Sequence, residues 1–217
     1  MNFLQELDES VEPIYQELIS HPFNVELAEG TLPEEKFRFY ISQDIHYIGE
    51  YSRALAGLAS KAPTHDELME FISFAKEGLE IERALHDEFK KQFNITPPEE
   101  IALATEAYSN FLLQAVAFRS YPEALASLLP CFWLYNKVAV HIYNNTKRNN
   151  KYQRWIDTYS GSEFDETTRR LKEITASLAG ENNQKTRDKM KSLYVRSSRY
   201  EWFFWDSAYH LRYWIEK

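Results

Sequence analysis

The single cysteine of the chain, Cys131, has the most reactive side chain, and it follows Pro130 in the apolar and aromatic run 128–135. Because one cysteine cannot form an intramolecular disulfide, this thiol is either a small buried hydrophobe or a nucleophile. Pro130 favours the nucleophile, because a proline about ten residues inside a predicted helix removes one backbone hydrogen bond and clashes with the carbonyl of Ala126. A strained turn directly before a thiol is typical of a site, although the pattern leaves both alternatives open.

Two carboxylates lie inside aromatic segments and could act as acids or bases. On a helix, the spacing of Asp44 and Tyr47 places both side chains on one face, and the spacing of Glu201 and Phe204 does the same. Desolvation disfavours the charged form of a carboxylate in such surroundings unless a partner is present, and a protonated carboxyl group suits a general acid. The alternative for each carboxylate is a surface position or a salt bridge.

The histidines argue against a metal site. A di-iron carboxylate bundle needs a Glu-x-x-His pattern on each of two helices, and the chain has none, since Glu82 and His86 are four residues apart. The six histidines form no ligand-spaced pair, and one cysteine cannot build a Cys/His zinc site. Glycine-rich phosphate loops and the G-x-S-x-G pattern are also missing from the sequence. We therefore expect no metal, with a mixed carboxylate site kept as an alternative.

Helix starts are the clearest structural pattern in the sequence. A Ser or Thr followed three residues later by Glu has the form of a capping box, in which both side chains accept backbone N–H groups at the start of a helix. Four such pairs occur, namely Thr31 with Glu34, Thr64 with Glu67, Thr96 with Glu99 and Ser120 with Glu123. No alternating strand is followed by a hairpin turn, so the sequence predicts an all-α fold.

The predicted helices connect into a single bundle. Their approximate limits are 2–20, 34–60, 65–93, 98–118, 122–147, 150–159, 163–178 and 184–214. Short connections, such as 61–63 and 94–96, predict antiparallel neighbours. A chain of 217 residues is long enough for one sizeable core and does not require a second domain. We therefore expect residues 1–217 to form a single-domain helical bundle.

Composition limits the partners and the compartment. The net charge of -8 and the pI near 5.4 argue against a nucleic-acid partner, which needs a basic surface. No apolar run approaches the roughly 18 residues that span a bilayer, and the acidic, amphipathic N-terminus is unlike a signal peptide. We therefore expect no membrane partner and a cytoplasmic location. Aromatic residues form 15% of the chain, enough to line a pocket for a flat, polar ligand.

Four separated motifs, in one order along the chain, resemble the TenA/thiaminase II family. They are residues 40–47 (Tyr-Ile-x-Gln-Asp-x-x-Tyr), 129–135 (Leu-Pro-Cys-Phe-Trp-Leu-Tyr), 155–159 (Trp-Ile-Asp-Thr-Tyr) and 198–206 (Ser-Arg-Tyr-Glu-Trp-x-Phe-Trp-Asp). The similarity extends from Ser20 almost to the C-terminus. The resemblance implies the haem-oxygenase-like helical bundle, without haem, and a homotetramer.

The resemblance also implies an activity. It is hydrolysis of 4-amino-5-aminomethyl-2-methylpyrimidine, hereafter the aminomethylpyrimidine, to hydroxymethylpyrimidine and ammonia, and of thiamin to hydroxymethylpyrimidine and the thiazole. Such an enzyme is an aminopyrimidine aminohydrolase, or thiaminase II, of thiamin salvage or degradation, and it uses no cofactor. By the match to the family motifs, Cys131 is the nucleophile, Glu201 the catalytic acid and Asp44 the carboxylate that binds the aminopyrimidine. The aromatic lining matches Tyr47, Tyr108, Tyr135, Tyr159 and Phe204.

Two functions of other kinds are alternatives. One is a binding or regulatory protein that holds a pyrimidine or thiamin-like ligand without converting it. The other is a metal-dependent oxidase on the same fold. Residues 136–137 and 45–46 are less family-like than their surroundings. Because they adjoin Cys131's motif and Asp44, they are the positions where substrate preference could differ.

Overall fold

The computed structural model describes residues 2–96 and 100–214, apart from the side chain of Glu82. Within those ranges the chain forms ten α-helices and no strand, which confirms the predicted all-α fold. In chain order the helices are α1 (Phe3–Ser20), α2 (Pro22–Glu29), α3 (Glu34–Ala59), α4 (His65–Phe93), α5 (Leu103–Phe118), α6 (Tyr121–Leu128), α7 (Pro130–Asn144), α8 (Gln153–Tyr159), α9 (Ser162–Glu181) and α10 (Gln184–His210).

The helices group into two compact units, each built from two separate stretches of the chain. Unit 1 comprises Met1–Leu32 and Pro122–Trp202, and unit 2 comprises Pro33–Tyr121 and Phe203–Lys217. Each unit therefore depends on packing between segments that are far apart in sequence. Such packing supplies most helix stability in proteins, because isolated helices are marginal in water. The prediction of one domain over residues 1–217 stays a prediction.

Helix α7 is the centre of unit 1, since it packs against α1, α2, α8 and α9. The sequence explains this position, because α7 is apolar around most of its circumference and so buries side chains against several neighbours. Leu134 on α7, Leu7 and Val11 on α1 and Trp155 on α8 are completely buried. Burial of each side chain contributes roughly 1.5–3 kcal/mol to folding. Cys131 is therefore carried by the central helix of its unit.

Helix α3 has the same central role in unit 2, where it packs against α4 and α5. Phe37 near its start is completely buried, with the ring of Phe89 from α4 edge-on at 5.3 Å. The guanidinium of Arg38 donates to the carbonyl of Phe93 at the end of α4, at 2.7 Å. This bond satisfies one of the carbonyls that a helix leaves without an internal partner at its C-terminus. These contacts hold α3, which carries Asp44, against α4.

The capping box predicted at Thr64 agrees with a helix start, and the one predicted at Thr31 does not. Thr64 caps α4 as predicted, because its hydroxyl accepts from the N–H of Glu67 at 3.2 Å. The capping box at Thr31 is wrong, because the cap of α3 is Pro33, which makes no side-chain hydrogen bond. The hydroxyl of Thr31 donates instead to the carbonyl of Glu26, at 3.4 Å. It therefore completes the end of α2 rather than starting α3.

Two further helix limits differ from the sequence prediction. Thr96 and Glu99 predict a helix start at residue 98; Glu99 lies outside the described residues, and α5 begins only at Leu103. The short helix α2 is absent from the prediction. Its cap is His21, whose Nδ1 accepts from the N–H of Phe23 at 3.2 Å. Histidine is not one of the usual cap residues, so the capping pattern does not indicate a helix start there, and Pro22 at the first helical position is the one local sign of it.

The segment around Cys131 forms two helices rather than the predicted single helix over 122–147. Helix α6 begins at Tyr121, next to the predicted start, and Pro130 is the first residue of α7. A proline in that position lacks only an N–H that a helix start leaves without a partner, so the predicted mid-helix strain is wrong. The backbone at Leu129 is helical, and α7 restarts directly after it. Cys131 is thus the second residue of a new helix.

Among the described residues, one stretch, Tyr121–Asn144, is long and apolar enough to cross a membrane by length and composition. The sequence expectation that no run approaches this length is therefore too strong. In the folded chain, 67% of the apolar window is buried, as in the core helix of a soluble protein, so the stretch is weak support for a membrane span. The same apolar character explains why α7 is central to unit 1.

Candidate functional site

Cys131 has a half-buried thiol at the start of α7. Its helical position puts it on the same side of α7 as Tyr135, which lies one turn later and is also half-buried. Pro130 and Phe132, on either side of it, are buried. The thiol is therefore partly accessible on a mostly enclosed helix. Partial exposure is a requirement of reactive cysteines, whereas buried structural cysteines are inert.

Three aromatic rings pack against Tyr159 in unit 1. The ring of Tyr135 lies edge-on at 5.0 Å, that of Trp155 at 4.8 Å and that of Phe164 edge-on at 5.7 Å. Aromatic pairs at such distances add about 0.5–1.5 kcal/mol beyond their burial. Tyr135 and Tyr159, both predicted to line a ligand pocket, are therefore in contact, and their neighbours fix the orientation of both rings.

Glu201 is buried on α10, close to the end of unit 1. Its charge acts on Tyr194, which lies two helical turns earlier on the same face. Burial raises the pKa of Tyr194 well above its usual range, and the negative charges of Asp8 and Glu201 raise it further. The Tyr194 hydroxyl is buried without a hydrogen-bond partner in the described part of the chain, and its ring packs against Trp133 at 5.7 Å. A neutral, donor-capable hydroxyl thus lies on the helix face of Glu201.

Asp44 is buried on α3 and faces a histidine from α4. The Nε2 atom of His86 lies 3.1 Å from Oδ2 of Asp44, and the two side chains are only 5% and 7% exposed. The hydrogen bond runs from Nε2 to Oδ2 in the tautomer of His86 that carries its proton on Nε2, because an ionised carboxylate can only accept. Asp44 is therefore a buried and hydrogen-bonded residue, and the pair becomes an ion pair only when His86 is protonated.

Three aromatic residues predicted to line a pocket meet in unit 2. Tyr47, one turn after Asp44 on α3, stacks with Tyr108 from α5 at 4.9 Å and packs against Phe204 at 5.5 Å. Tyr47, Tyr108 and Phe204 are all buried. Asp44 and Tyr47 lie on one helix, at the spacing from which the sequence predicts a shared face. One part of unit 2 therefore combines a carboxylate with three aromatic rings.

The predicted site residues divide between the units. Unit 1 contains Cys131, Tyr135, Tyr159 and Glu201, and unit 2 contains Asp44, Tyr47, Tyr108 and Phe204. Ring contacts join Tyr135 to Tyr159 in the first unit, and Tyr47 to Tyr108 and Phe204 in the second. The catalytic and binding roles that the family resemblance assigns to these residues stay predictions.

His86 is a candidate functional residue that the sequence interpretation missed, since it enters there only as a metal ligand with unsuitable spacing. A pattern for it exists, because Phe89 and Phe93 follow on the same apolar face of α4. A histidine on such a face needs a polar partner. That partner, Asp44, is 42 residues away in sequence, and no local pattern identifies it.

The arrangement of the side chains is also relevant to metal binding. In residues 2–96 and 100–214, no group of three or more His, Cys, Asp or Glu side chains is arranged to hold a metal ion. Asp44 and His86 are of ligand-forming types, but catalytic zinc sites use three protein ligands. Asp44 and His86 form a hydrogen-bonded pair in the described residues.

The fold and these side chains define a class of protein first. It is an all-α protein in which a buried carboxylate, Asp44, lies one helical turn from a cluster of three buried aromatic rings. The family follows from the sequence as a whole. The family model for TENA/THI-4/PQQC matches residues 8–211, and the chain belongs to this family. The predicted TenA resemblance is thereby confirmed.

Relatives match the chain over nearly its full length. The aminopyrimidine aminohydrolase of Bacillus subtilis (strain 168) is 30% identical over 220 residues, which cover 100% of this chain and 93% of the relative. The aminopyrimidine aminohydrolase of Helicobacter pylori is 30% identical over 215 residues, covering 96% and 99%. The solved structure of the TenA homologue from P. horikoshii OT3 matches with a TM-score of 0.88 at 29% identity, covering 97% of this chain and 99% of that one. The fold is therefore that of the TenA helical bundles.

Proposed function

We propose that this protein is an aminopyrimidine aminohydrolase that converts the aminomethylpyrimidine to hydroxymethylpyrimidine and ammonia, in thiamin salvage or degradation. The observation that carries the proposal is the full-length similarity, at 30% identity, to two relatives of that name. These relatives place the chain among hydrolases. Its own side chains support the finer assignment, because a half-buried thiol and two buried carboxylates occur within the family motifs.

Cys131 is the proposed nucleophile. An amine on a methylene group leaves poorly by direct displacement. Addition of the Cys131 thiolate to the electron-poor pyrimidine ring forms a carbon–sulfur bond and gives the ring an electron pair, which expels ammonia from the methylene carbon. Water then adds to that methylene, the ring regains its aromaticity, and the carbon–sulfur bond breaks to release the thiolate and hydroxymethylpyrimidine. One difficult substitution thus becomes two easier steps.

The two carboxylates have different proposed roles. Glu201 is the acid, which gives its proton to the leaving nitrogen and later takes one from the attacking water. Asp44 accepts a hydrogen bond from the amino group of the pyrimidine. Aromatic rings hold the flat heterocycle by stacking and exclude water from it. The proposed lining residues are Tyr47, Tyr108, Tyr135, Tyr159 and Phe204.

Thiamin is the second proposed substrate, with the thiazole as the leaving group in place of ammonia. The same addition to the ring applies, because both compounds carry the leaving group on the methylene of the same aminopyrimidine. We expect the aminomethylpyrimidine to be the better substrate, as the family resemblance implies. Values of kcat/KM for both compounds, measured on one preparation, decide the preference.

Release of ammonia and hydroxymethylpyrimidine from the aminomethylpyrimidine tests the proposed function. We expect one ammonia for each hydroxymethylpyrimidine, without added metal or cofactor. Tight binding in calorimetry with no product at long times would instead identify a binding or regulatory protein. Turnover that requires stoichiometric iron or manganese would identify a metal-dependent oxidase.

The single cysteine supports a proposal on location, and the family resemblance supports one on assembly. We place the enzyme in the cytoplasm, where a single cysteine stays reduced. We propose a homotetramer, so light scattering should give a mass close to four times the 25.7 kDa of the chain. A mass near that of one chain would contradict this assembly.

A further inference from the structure

We infer that His86 is a positioning residue for Asp44: its Nε2–H holds one carboxylate oxygen, so that the other oxygen is presented to the amino group of an aminopyrimidine. The inference rests on the proposed function, because it concerns how the polar edge of that substrate is recognised. It adds a residue from α4, a helix that carries none of the predicted site residues. The role is one of orientation, since His86 acts through Asp44 rather than on the substrate.

The geometry of the His86–Asp44 pair is that of a buried hydrogen bond. Nε2 of His86 and Oδ2 of Asp44 are 3.1 Å apart, within the range of an N–H to oxygen hydrogen bond. Both side chains are more than nine-tenths buried, so water competes little with the bond. The partners come from two helices that are packed along each other, which keeps the bond in place.

The bond to His86 engages one of the two oxygens of the Asp44 carboxylate. His86 meets Oδ2 of Asp44 at 3.1 Å, and this is the hydrogen bond that the described residues show for the Asp44 carboxylate. A buried carboxylate that accepts only one hydrogen bond is poorly compensated for its lost hydration. A ligand N–H directed at Oδ1 would supply the missing bond. Asp44 can therefore accept a further hydrogen bond at Oδ1 from a ligand N–H.

Orientation is what His86 adds to this arrangement. The terminal torsion of an aspartate side chain has broad, roughly two-fold preferences, so the rotamer alone does not fix the plane of the carboxylate. A hydrogen bond to Oδ2 fixes that plane and with it the direction of Oδ1. Because a neutral His86 can donate from Nε2, the pair also keeps the negative charge that strengthens a bond to a ligand amino group.

The expected ligand is a pyrimidine with an exocyclic amino group rather than an oxo group. The amino group donates to Oδ1, whereas an oxo oxygen in the same place would face a carboxylate oxygen with no proton between them. A site built to accept from a donor rejects an analogue that lacks it, because its buried polar group is left unpaired. Tyr47, one turn from Asp44 and stacked on Tyr108, adds an aromatic surface nearby.

Calorimetry with hydroxymethylpyrimidine tests the inference on the full-length protein. We expect His86→Phe to weaken binding about tenfold, the size of one charge-assisted hydrogen bond. His86→Gln keeps an N–H donor near the place of Nε2 and should stay within about threefold of wild type. In kinetics with the aminomethylpyrimidine, His86→Phe should raise KM and leave kcat nearly unchanged, as loss of uniform binding does. The matched controls, His65→Phe and His65→Gln, change an exposed histidine at the start of the same helix.

A double-mutant cycle separates positioning from general packing. On an Asp44→Asn background, His86→Phe should weaken binding by less than about twofold, because the carboxylate that it orients is gone. An equal loss on both backgrounds would show that His86 acts without Asp44 and would overturn the inference. A His86→Gln variant as weak as His86→Phe would overturn it as well.

Nitrogen NMR of labelled histidine keeps the test independent of the folding of His86→Phe. In the wild-type protein, Nε2 of His86 should be protonated, and its resonance should shift when hydroxymethylpyrimidine is added. The Asp44→Asn protein should show no such shift. An unprotonated Nε2, or an unchanged resonance in a protein that binds the pyrimidine, contradicts the inference alone. A wild-type protein that releases no ammonia contradicts the proposed function instead.

Discussion

Two predicted site residues, Asp44 in unit 2 and Cys131 in unit 1, have different surroundings. In unit 2 the carboxylate of Asp44 is tied to His86 by a buried hydrogen bond. In unit 1 the thiol of Cys131 is half-buried, and the Tyr194 hydroxyl is buried without a hydrogen-bond partner in the described residues. Aromatic packing fixes the rings of Tyr135 and Tyr159 in unit 1.

This difference predicts that Asp44 acts in ligand binding and Cys131 in catalysis, and enzyme kinetics can measure both effects. Groups held by fixed partners are pre-organised, which favours recognition of a ligand. A partly accessible cysteine meets one requirement of a reactive thiol, whereas a fully buried one is inert. Changes at Cys131 and Glu201 in unit 1 should therefore lower kcat, and changes at Asp44 in unit 2 should raise KM. The two kinetic constants test the two units separately.

Removal of the thiol should have the largest effect. We expect Cys131→Ala to lower kcat for the aminomethylpyrimidine by at least about a thousandfold, because the covalent route is lost. Binding of hydroxymethylpyrimidine in calorimetry should stay close to wild type. If the variant released ammonia at nearly the wild-type rate, the thiol would be structural. The catalytic role expected for Cys131 in unit 1 would then be wrong.

The buried glutamate of unit 1 should come next. Glu201→Gln keeps the size of the side chain but removes the proton donor, so kcat should fall about 10²–10⁴-fold with little change in KM. Glu163→Gln is the matched control, since Glu163 is exposed in the first turn of α9. An increase in KM with an unchanged kcat would assign Glu201 to binding. Glu201 and Asp44 would then have the same role, and the prediction would be wrong.

The carboxylate of unit 2 should affect binding rather than chemistry. Asp44→Asn removes the negative charge, and the loss of a charge-assisted hydrogen bond should raise KM about 10–100-fold at a similar kcat. Asp66→Asn, at an exposed position in the first turn of α4, should behave as wild type. The prediction is contradicted if steady-state kinetics show a fall in kcat with no change in KM.

Two buried tyrosines in unit 1 test how much a hydrogen bond to a buried hydroxyl contributes to the free energy of unfolding. The hydroxyl of Tyr152 donates to the carbonyl of Leu32 at 2.5 Å, whereas that of Tyr194 has no hydrogen-bond partner in the described residues. Tyr152→Phe should therefore lower the free energy of unfolding by about 1–2 kcal/mol, and Tyr194→Phe should change it by less than about 1 kcal/mol. Urea unfolding of both variants measures the difference. Equal losses would mean that the Tyr194 hydroxyl contributes as much as a bonded one.

The smallest expected effect is on the pH dependence of stability. Because burial raises the pKa of Tyr194 above the usual 10.0, the unfolded chain loses this proton at a lower pH than the folded chain. The unfolded state then binds fewer protons, so stability falls as the pH rises above 10.0. Tyr194→Phe should make this fall shallower in urea unfolding at alkaline pH. Identical slopes for the variant and the wild type would contradict the burial argument.

Features of the fold with a local cause are predictable from the sequence. Helix α4 begins where Thr64 predicts it, because a cap depends on residues three positions apart. The family also follows from sequence, since it rests on the order of short motifs. The hydrolase class agrees with the named relatives. The shared helix of Asp44 and Tyr47 is a direct result of helical periodicity.

Features with a distant cause are not predictable in this way. His86 lies on the apolar face that periodicity indicates, but its partner is on another helix, and no spacing reveals it. Pro130 shows a different limit, because apolar periodicity continues across the junction of α6 and α7 and hides the restart of the helix. Helix α2 escapes prediction because its cap is a histidine. The roles of Cys131 and Glu201 come from resemblance, and experiments must test them.

The interleaved units have a consequence for synthesis of the protein on the ribosome. Helices α1 and α2 are made first, but α7, against which both pack, follows only after Pro33–Tyr121 has been translated. Unit 2 likewise lacks Phe203–Lys217 until the end of translation. Neither unit can be completed by its first segment, so a nascent chain carries uncovered apolar helix faces for most of its synthesis. Slow or interrupted translation should therefore increase the dependence of this protein on chaperones.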